Sequence, residues 1–448
     1  MNPSPFFFQP YRGLLTRGYQ SSPHWVRLSI DPSLATTSQP HILRIQPQYL
    51  DYITLFDPLE PSQHVRQTGG MTRLSVDEYQ SLNFNFVIPV GDQPRYLYLK
   101  IETRSTTLLA AQVLPPSQVL RQDRLYEVFA SLLLGVLFLI VIWALFQWLL
   151  EPSLLMASFL VKQLAVMSHA AGYMGYWRLW LSDYLPPALL NELFSLNIFI
   201  MTAAAIWFVY QFLKEYDPQP WAIRLFAGCL LFFPVQVILQ WSGYTQMALE
   251  TVALLSLFMP MLGLYLAATA RVWKTSSEED LPVLSRNQLT LLFLLLAIVL
   301  WIYVLPVLGL IRVEPLTLYG IMLYNLVTSL MMMAALQLRA RHRSRQQAKI
   351  QERLLMVERE VRIERERREE QKRFMDMLTH ELKNPLSTIR LVTYGETEYA
   401  SKVSAAIADM QSIIDRCAQL GQIEAEYVIP RTDTIDLKEI VRNCQERL

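Results

Sequence analysis

Residues 128–150, VFASLLLGVLFLIVIWALFQWLL, contain no charged side chain. A helix rises about 1.5 Å per residue, so a run of this length crosses a hydrocarbon core of about 30 Å. Six further runs of similar length follow, at 154–174, 191–213, 222–241, 246–269, 288–310 and 316–338. With 52% apolar residues and 15 glycines among 448, the composition is too apolar for an ordinary soluble protein. The chain reads as a multidomain membrane protein, with seven transmembrane helices over 128–338 and water-facing segments on both sides.

Lys and Arg in short loops mark the cytoplasmic side. With the N-terminus outside, the inner loops hold Lys214, Arg224, Arg271, Lys274 and Arg286, and the last helix runs into Arg339, Arg341, Arg343 and Arg345. The outer loops hold only Arg178 and Arg312. Residues 1–127 are thereby expected outside and everything after 338 in the cytoplasm. Secretion of such a domain calls for a basic start and an apolar run, whereas the first twenty residues offer only Phe6-Phe7-Phe8. A start upstream of Met1 is expected.

Residues 1–127 carry an all-β pattern. Trp25 to Ile30, Ile42 to Ile45, Tyr52 to Phe56, Phe84 to Val90 and Tyr96 to Ile101 are rich in β-branched and aromatic residues. Turn-forming pairs separate them: Asp31-Pro32, Asp57-Pro58, Gly69-Gly70 and Gly91-Asp92. A small β-sandwich follows. The order of a Trp-x-Arg strand, a Tyr-Ile-Thr-Leu-Phe strand, an Arg-x-Thr-Gly turn and an Asn-Phe-x-Phe strand before Tyr-Leu-Tyr-Leu-Lys resembles a known sensor domain. It is that of bacterial seven-transmembrane receptors with diverse intracellular signalling modules. The resemblance implies a jelly-roll domain with a carbohydrate-like ligand, ahead of a variable cytoplasmic output module.

Beyond the last apolar run the composition changes. Arg339 to Arg373 holds thirteen Lys or Arg against seven Glu, a positive arm beside the anionic inner leaflet. Ile350, Leu354, Val357 and Val361 keep the 4-3-4 spacing of a coiled-coil seam. The register continues through the polar Glu364, Arg368 and Gln371 to Met375, Leu378, Leu382, Pro385 and Ile389. A cytoplasmic coiled-coil linker is expected over 339–373. Its phase would carry a shift of the seventh helix into Phe374 to Arg390, FMDMLTHELKNPLSTIR.

In that segment His380 lies two residues from both Leu378 and Leu382, about 200° around the helix from the apolar stripe. An imidazole held outward beside Glu381 suits a nucleophile towards a bulky phosphate donor. Phe374, Leu378, Thr379, His380, Glu381, Leu382, Lys383, Asn384, Pro385 and Leu386 resemble, in order, the phosphoacceptor box of bacterial sensor histidine kinases. The resemblance implies that His380 is phosphorylated, that Glu381 is the acid/base for the second ring proton, and that Asn384 positions water for dephosphorylation of a partner. A second apolar stripe, Val403, Ile407, Met410, Ile414, Cys417 and Leu420, follows a break near Gly395. A lone hairpin cannot bury both stripes. Residues 374–425 are therefore expected as half of a dimeric four-helix bundle, in a homodimer with Pro385 bending the first helix.

Residues 426–448 end in TIDLKEIVRNCQERL, which looks like the first strand and helix of the ATP-binding domain of such kinases, with Asp436 as an N-cap. No glycine follows Gly421, so the loops that would hold ATP and Mg are expected beyond Leu448. The functional expectation is a sensor histidine kinase of the bacterial inner membrane, phosphorylated on His380, which passes the phosphoryl group to a response regulator. The alternative is a non-catalytic receptor or phosphotransfer module served by a kinase in trans. Cys229, Cys417 and Cys444 give no disulfide framework or metal site, and no nucleic-acid partner is indicated. Lys162, His169 and Glu250 fall within apolar segments. The reading preferred from sequence is that Lys162 snorkels to the lipid surface and Glu250 sits at the interface; the other is a polar pocket between helices.

Overall fold

The computed structural model describes residues 8–425 except 9, 12, 21, 32–38, 61–65, 273–283, 312–317 and 393–399. The chain divides into two compact units, Met1–His342 and Arg343–Leu448.

Among the described residues the first unit begins with eight strands: β1 (Leu15–Tyr19), β2 (His24–Ile30), β3 (His41–Gln46), β4 (Tyr52–Phe56), β5 (Arg66–Thr68), β6 (Phe84–Ile88), β7 (Arg95–Glu102) and β8 (Thr106–Leu114). They form two antiparallel four-stranded sheets, ordered β1-β8-β3-β6 and β2-β7-β4-β5. Successive side chains on a strand point to opposite faces. On β7 this sends Leu97, Leu99 and Ile101 inward, where they meet Leu43, Ile45, Ile53, Leu55, Phe84 and Phe86. The five strands expected from sequence are present. β1, β5 and β8 are additional. β1 carries Gly18 and a register shift beside it, β5 has three residues, and the apolar β8 merges in pattern with the helix after it.

Among the described residues, seven helices are long and apolar enough to cross a membrane. They are α1 (Pro116–Leu150), α2 (Leu154–Tyr173), α4 (Pro187–Lys214), the pair α5 (Pro220–Gly228) and α6 (Phe232–Trp241), α7 (Thr245–Thr269), α8 (Arg286–Val307) and the start of α9 (Gly320–Val392). A short α3 (Tyr176–Leu181) lies between the second and third. All seven coincide with the runs read from sequence. α1, however, starts at Pro116 rather than 128, because Arg121, Asp123, Arg124 and Glu127 lower the hydropathy of its first turns without ending the helix. The fourth crossing contains a 3₁₀ turn at Cys229–Leu231.

The outer face of the β1-β8-β3-β6 sheet rests on helix ends. Leu14, Leu108 and Ala110 pack with Ala253, Val307 and Leu318, and the Thr106 hydroxyl donates to the carbonyl of Val307 at 2.6 Å. Two glycines permit this approach. Gly18 and Gly309 both have positive φ, and a Cβ on Gly18 would lie 2.8 Å from the Leu308 carbonyl oxygen. Such contact needs a residue without a side chain.

In the second unit, the helix from Arg343 carries Ile350, Leu354, Val357 and Val361 exposed. α10 (Ala400–Ala425) returns beside the end of α9, with Leu386, Ile407 and Ile414 buried together and Val403 against them. The break read near Gly395, the side chains of Pro385, Cys417 and Leu420, and the segment 426–448 with Asp436 and Cys444 lie outside the described residues.

Candidate functional site

The histidine segment is helical throughout, within α9. His380, Glu381 and Asn384 are all exposed, while Leu386 is buried against α10 and Leu378 is half-buried. Lys383 Nζ lies 3.7 Å from Asp415 Oδ1 across the hairpin. The Thr379 hydroxyl donates to the Met375 carbonyl at 2.7 Å, which directs it along its own helix. Neighbours on a helix do not face each other, and no hydrogen bond joins His380 to Glu381. The imidazole is thus presented to solvent on a helix that packs, through Leu386, against α10. Phe374, Met377, Leu382, Ile389, Met410 and Ile413 remain largely exposed, an apolar face that the single hairpin leaves uncovered.

In the first unit, three polar clusters join the β-domain to the bundle. Arg44 Nε donates to Asp123 Oδ1 at 2.9 Å, both side chains being more than nine-tenths buried. Asn83 Nδ2 donates to the same oxygen at 2.9 Å, and Asn83 Oδ1 accepts from Gln46 and Gln48. At a second point Arg178, on α3, grips both oxygens of Asp77 at 2.6 and 2.9 Å and also donates to the carbonyl and hydroxyl of Thr72. Beside it Gly175, with φ of 90°, lies so close to the β-domain that a Cβ would be 2.9 Å from the Leu82 carbonyl oxygen. At the third, Asp51 accepts from Asn191 Nδ2 on α4 and from the Arg104 amide at 2.6 Å.

Beneath these contacts lies a cavity of about 260 Å³, lined by Tyr19, Tyr49, Ser105 and Thr106 and walled by α2, α4, α7, α8 and α9. Lys162 and His169 both line it and are only 7% and 5% exposed. Lys162 does not snorkel. Its Nζ sits 5.7 and 5.5 Å from the rings of Phe159 and Phe208, because neighbouring helices enclose α2 on the side that carries it. His169 stacks on Phe194 at 5.5 Å. Glu250 is exposed near the start of α7, as expected for an interfacial residue.

Residues 3–114 match the family model described as 7TMR-DISM extracellular 2. With seven crossing-length helices behind it, the chain is a multi-pass membrane receptor with an extracytoplasmic N-terminal domain. Neither the curated proteins nor the solved structures give a match. The matched segment ends with β8, so it comprises the whole sandwich and none of the bundle.

Sequence reading missed the receptor's three interdomain clusters. Arg178 served there only as a loop charge for topology, and Asp123 was not singled out. One signal was available for Arg44: a charge between Leu43 and Ile45, in a strand whose neighbours are core. Asp51 also yields a pH prediction. Burial, only partly offset by the Arg104 and Asn191 contacts, raises its carboxyl above the ordinary carboxylate value. The folded state then holds its proton to higher pH than the unfolded chain, so stability is greatest below the ordinary value and falls as pH rises through the raised one. Unfolding temperatures measured across that window should decline with pH in the parent, and less steeply in Asp51→Asn. Equal slopes would remove Asp51 as the cause.

Proposed function

We propose that this receptor is a sensor histidine kinase of the two-component type, in which His380 accepts a phosphoryl group and delivers it to an aspartate of a cytoplasmic response regulator. The observation that carries this reading is the exposed His380 on a helix that packs, through Leu386, into a hairpin with α10. A nucleophile towards a phosphorus atom needs open approach and fixed direction. The hairpin supplies both. In the transfer, one imidazole nitrogen would bond to the γ-phosphorus of ATP as the bond from that phosphorus to the bridging oxygen breaks and ADP leaves, while the proton on the other nitrogen passes to Glu381. Asn384, one turn on and equally exposed, orients the water that later removes the phosphoryl group from the regulator.

Among the described residues no group of three or more His, Cys, Asp or Glu could hold a metal ion. In this reading the described cytoplasmic residues act as the phosphoryl acceptor. The uncovered face of Phe374, Met377, Leu382, Ile389, Met410 and Ile413 supports closure by a second copy into a four-helix bundle. Ile350, Leu354, Val357 and Val361 would meet their counterparts in the same homodimer, as a coiled coil against the inner leaflet of a bacterial inner membrane. On the other side, Trp25, Tyr52, Phe56 and Tyr96 are exposed on the sheet turned away from the bundle, with Trp25 and Phe56 rings 5.4 Å apart. Exposed aromatic faces of this kind support a carbohydrate-like ligand.

The test uses the full receptor in membranes that supply kinase activity and labelled ATP. Acid-labile, base-stable phosphate should appear on the chain and map to the peptide containing His380. Acid-stable label, or label on another peptide, would refute the assignment.

A further inference from the structure

The cavity beneath the β-domain has the shape and chemistry of a ligand site that signalling through His380 does not use. Its wall on α8 is a stripe from Phe293 through Leu300 to Val307. Those fifteen residues, fourteen steps of about 1.5 Å, span about 21 Å of helix axis. A volume of about 260 Å³ drawn out over such a length is narrow, and it suits an unbranched chain better than a ring or a compact solute. The walls are mainly apolar, with Ile206, Val209, Met259 and Leu296 among them.

The polar groups in this cavity are short of acceptors. Lys162 has neither a hydrogen bond nor an ion pair among the described residues, and none of the lining residues is Asp or Glu. Nδ1 of His169, Nδ2 of Asn325 and the hydroxyl of Tyr49 are buried without hydrogen-bond partners. A buried ammonium without a counter-charge is costly, as is an unpaired buried donor. Natural interiors leave few such groups, and four in one cavity call for an occupant. Water could pair some of the donors but would not neutralise Lys162 or fill the apolar length.

We propose that the cavity binds a single-chain amphipathic anion, of which a long-chain carboxylate is the simplest. Its head pairs with Lys162, and Asn325 donates to the same group. The chain lies along the stripe on α8. Lys162 is eleven residues from the outer end of α2 at Tyr173, about 16 Å of rise, so the head sits at mid-bundle rather than at either surface. Because Tyr19, Tyr49 and Thr106 are among the lining residues, occupancy touches the β-domain as well as the helices. Nothing in this proposal depends on the phosphoacceptor assignment, and either can fail alone.

The full receptor in phosphatidylcholine nanodiscs, titrated with radiolabelled dodecanoate, provides the test. Saturable binding is expected, with dodecanol a much weaker competitor than unlabelled dodecanoate. Lys162→Met should weaken binding at least about tenfold, the size of one charge-assisted bond, while Lys162→Arg should retain it. Ala205→Trp, which plugs the cavity with Lys162 intact, should abolish it. A diazirine-bearing fatty acid should cross-link to peptides of α2 or α8. If lysophosphatidate competes better than dodecanoate, the membrane is the source of the ligand; the reverse order points to a carboxylate from outside. Absence of saturable binding, equal affinity in Lys162→Met, or equal competition by dodecanol would overturn the proposal. So would cross-links confined to lipid-facing residues.

Discussion

Glu381→Ala should slow phosphate uptake at His380 by about 10² to 10⁴-fold, the usual range for loss of general acid/base assistance. The imidazole gains positive charge as its nitrogen bonds to phosphorus, unless the opposite N–H is relieved of its proton. Glu381 is exposed and makes no ion pair among the described residues. Its removal should therefore change stability by no more than about 0.5 kcal/mol, as for other surface positions. A slow variant is then slow for chemical reasons. Initial rates of acid-labile labelling in membranes measure the effect. His380→Ala should take up nothing, and Glu381→Gln, which keeps the size but not the basicity, should behave like Glu381→Ala. Asn384→Ala should take up phosphate at near the parental rate and retain phosphorylated regulator longer. A parental rate in Glu381→Ala would give the proton to another group.

Most of the architecture was legible because its signals are periodic or bulk. The run at 128–150 and its six successors needed only length and apolarity, and β7 needed only its alternation of Leu97, Leu99 and Ile101 with Tyr96, Tyr98 and Lys100. The strands that escaped lack such signals: Gly18 interrupts β1, and β8 is apolar on both faces because one meets the sandwich core and the other the bundle. The histidine segment was legible as a local pattern, all within one helix. Cavity and interdomain clusters were not. Arg44 and Asp123 are 79 positions apart, Asp77 and Arg178 are 101 apart, and no local window holds both partners. Lys162 misled for a related reason: a lysine in an apolar helix has the same sequence signature whether it snorkels to lipid or faces a cavity. Only the packing of α1, α4 and α9 around α2 separates the two.

Breaking the Arg44–Asp123 pair should strongly destabilise the receptor's first unit, costing about 3–5 kcal/mol, the range for removing one partner of a buried ion pair. The two side chains are 8% and 7% exposed, so neither regains water when the other is lost. Asp123→Ala also removes the acceptor of Asn83 Nδ2, whereas Arg44→Ala leaves that bond and strands the carboxylate, whose Oδ2 already has no partner. Both single variants should unfold at markedly lower temperature. The double variant Arg44→Met, Asp123→Leu should recover most of the loss, since apolar replacements of similar volume avoid the desolvation of both charges. Recovery should stop short of the parent by about 1–3 kcal/mol, the cost of leaving the Asn83 donor unpaired. Thermal unfolding in detergent measures all four proteins. Additive losses in the double variant would mean that the charges do not act on each other. The stable double variant then has a further use. It keeps the sandwich folded on the bundle while removing the charge that ties β3 to α1, and the stimulus dependence of labelling at His380 in that variant reports whether this tie carries the signal or only holds the domain in place.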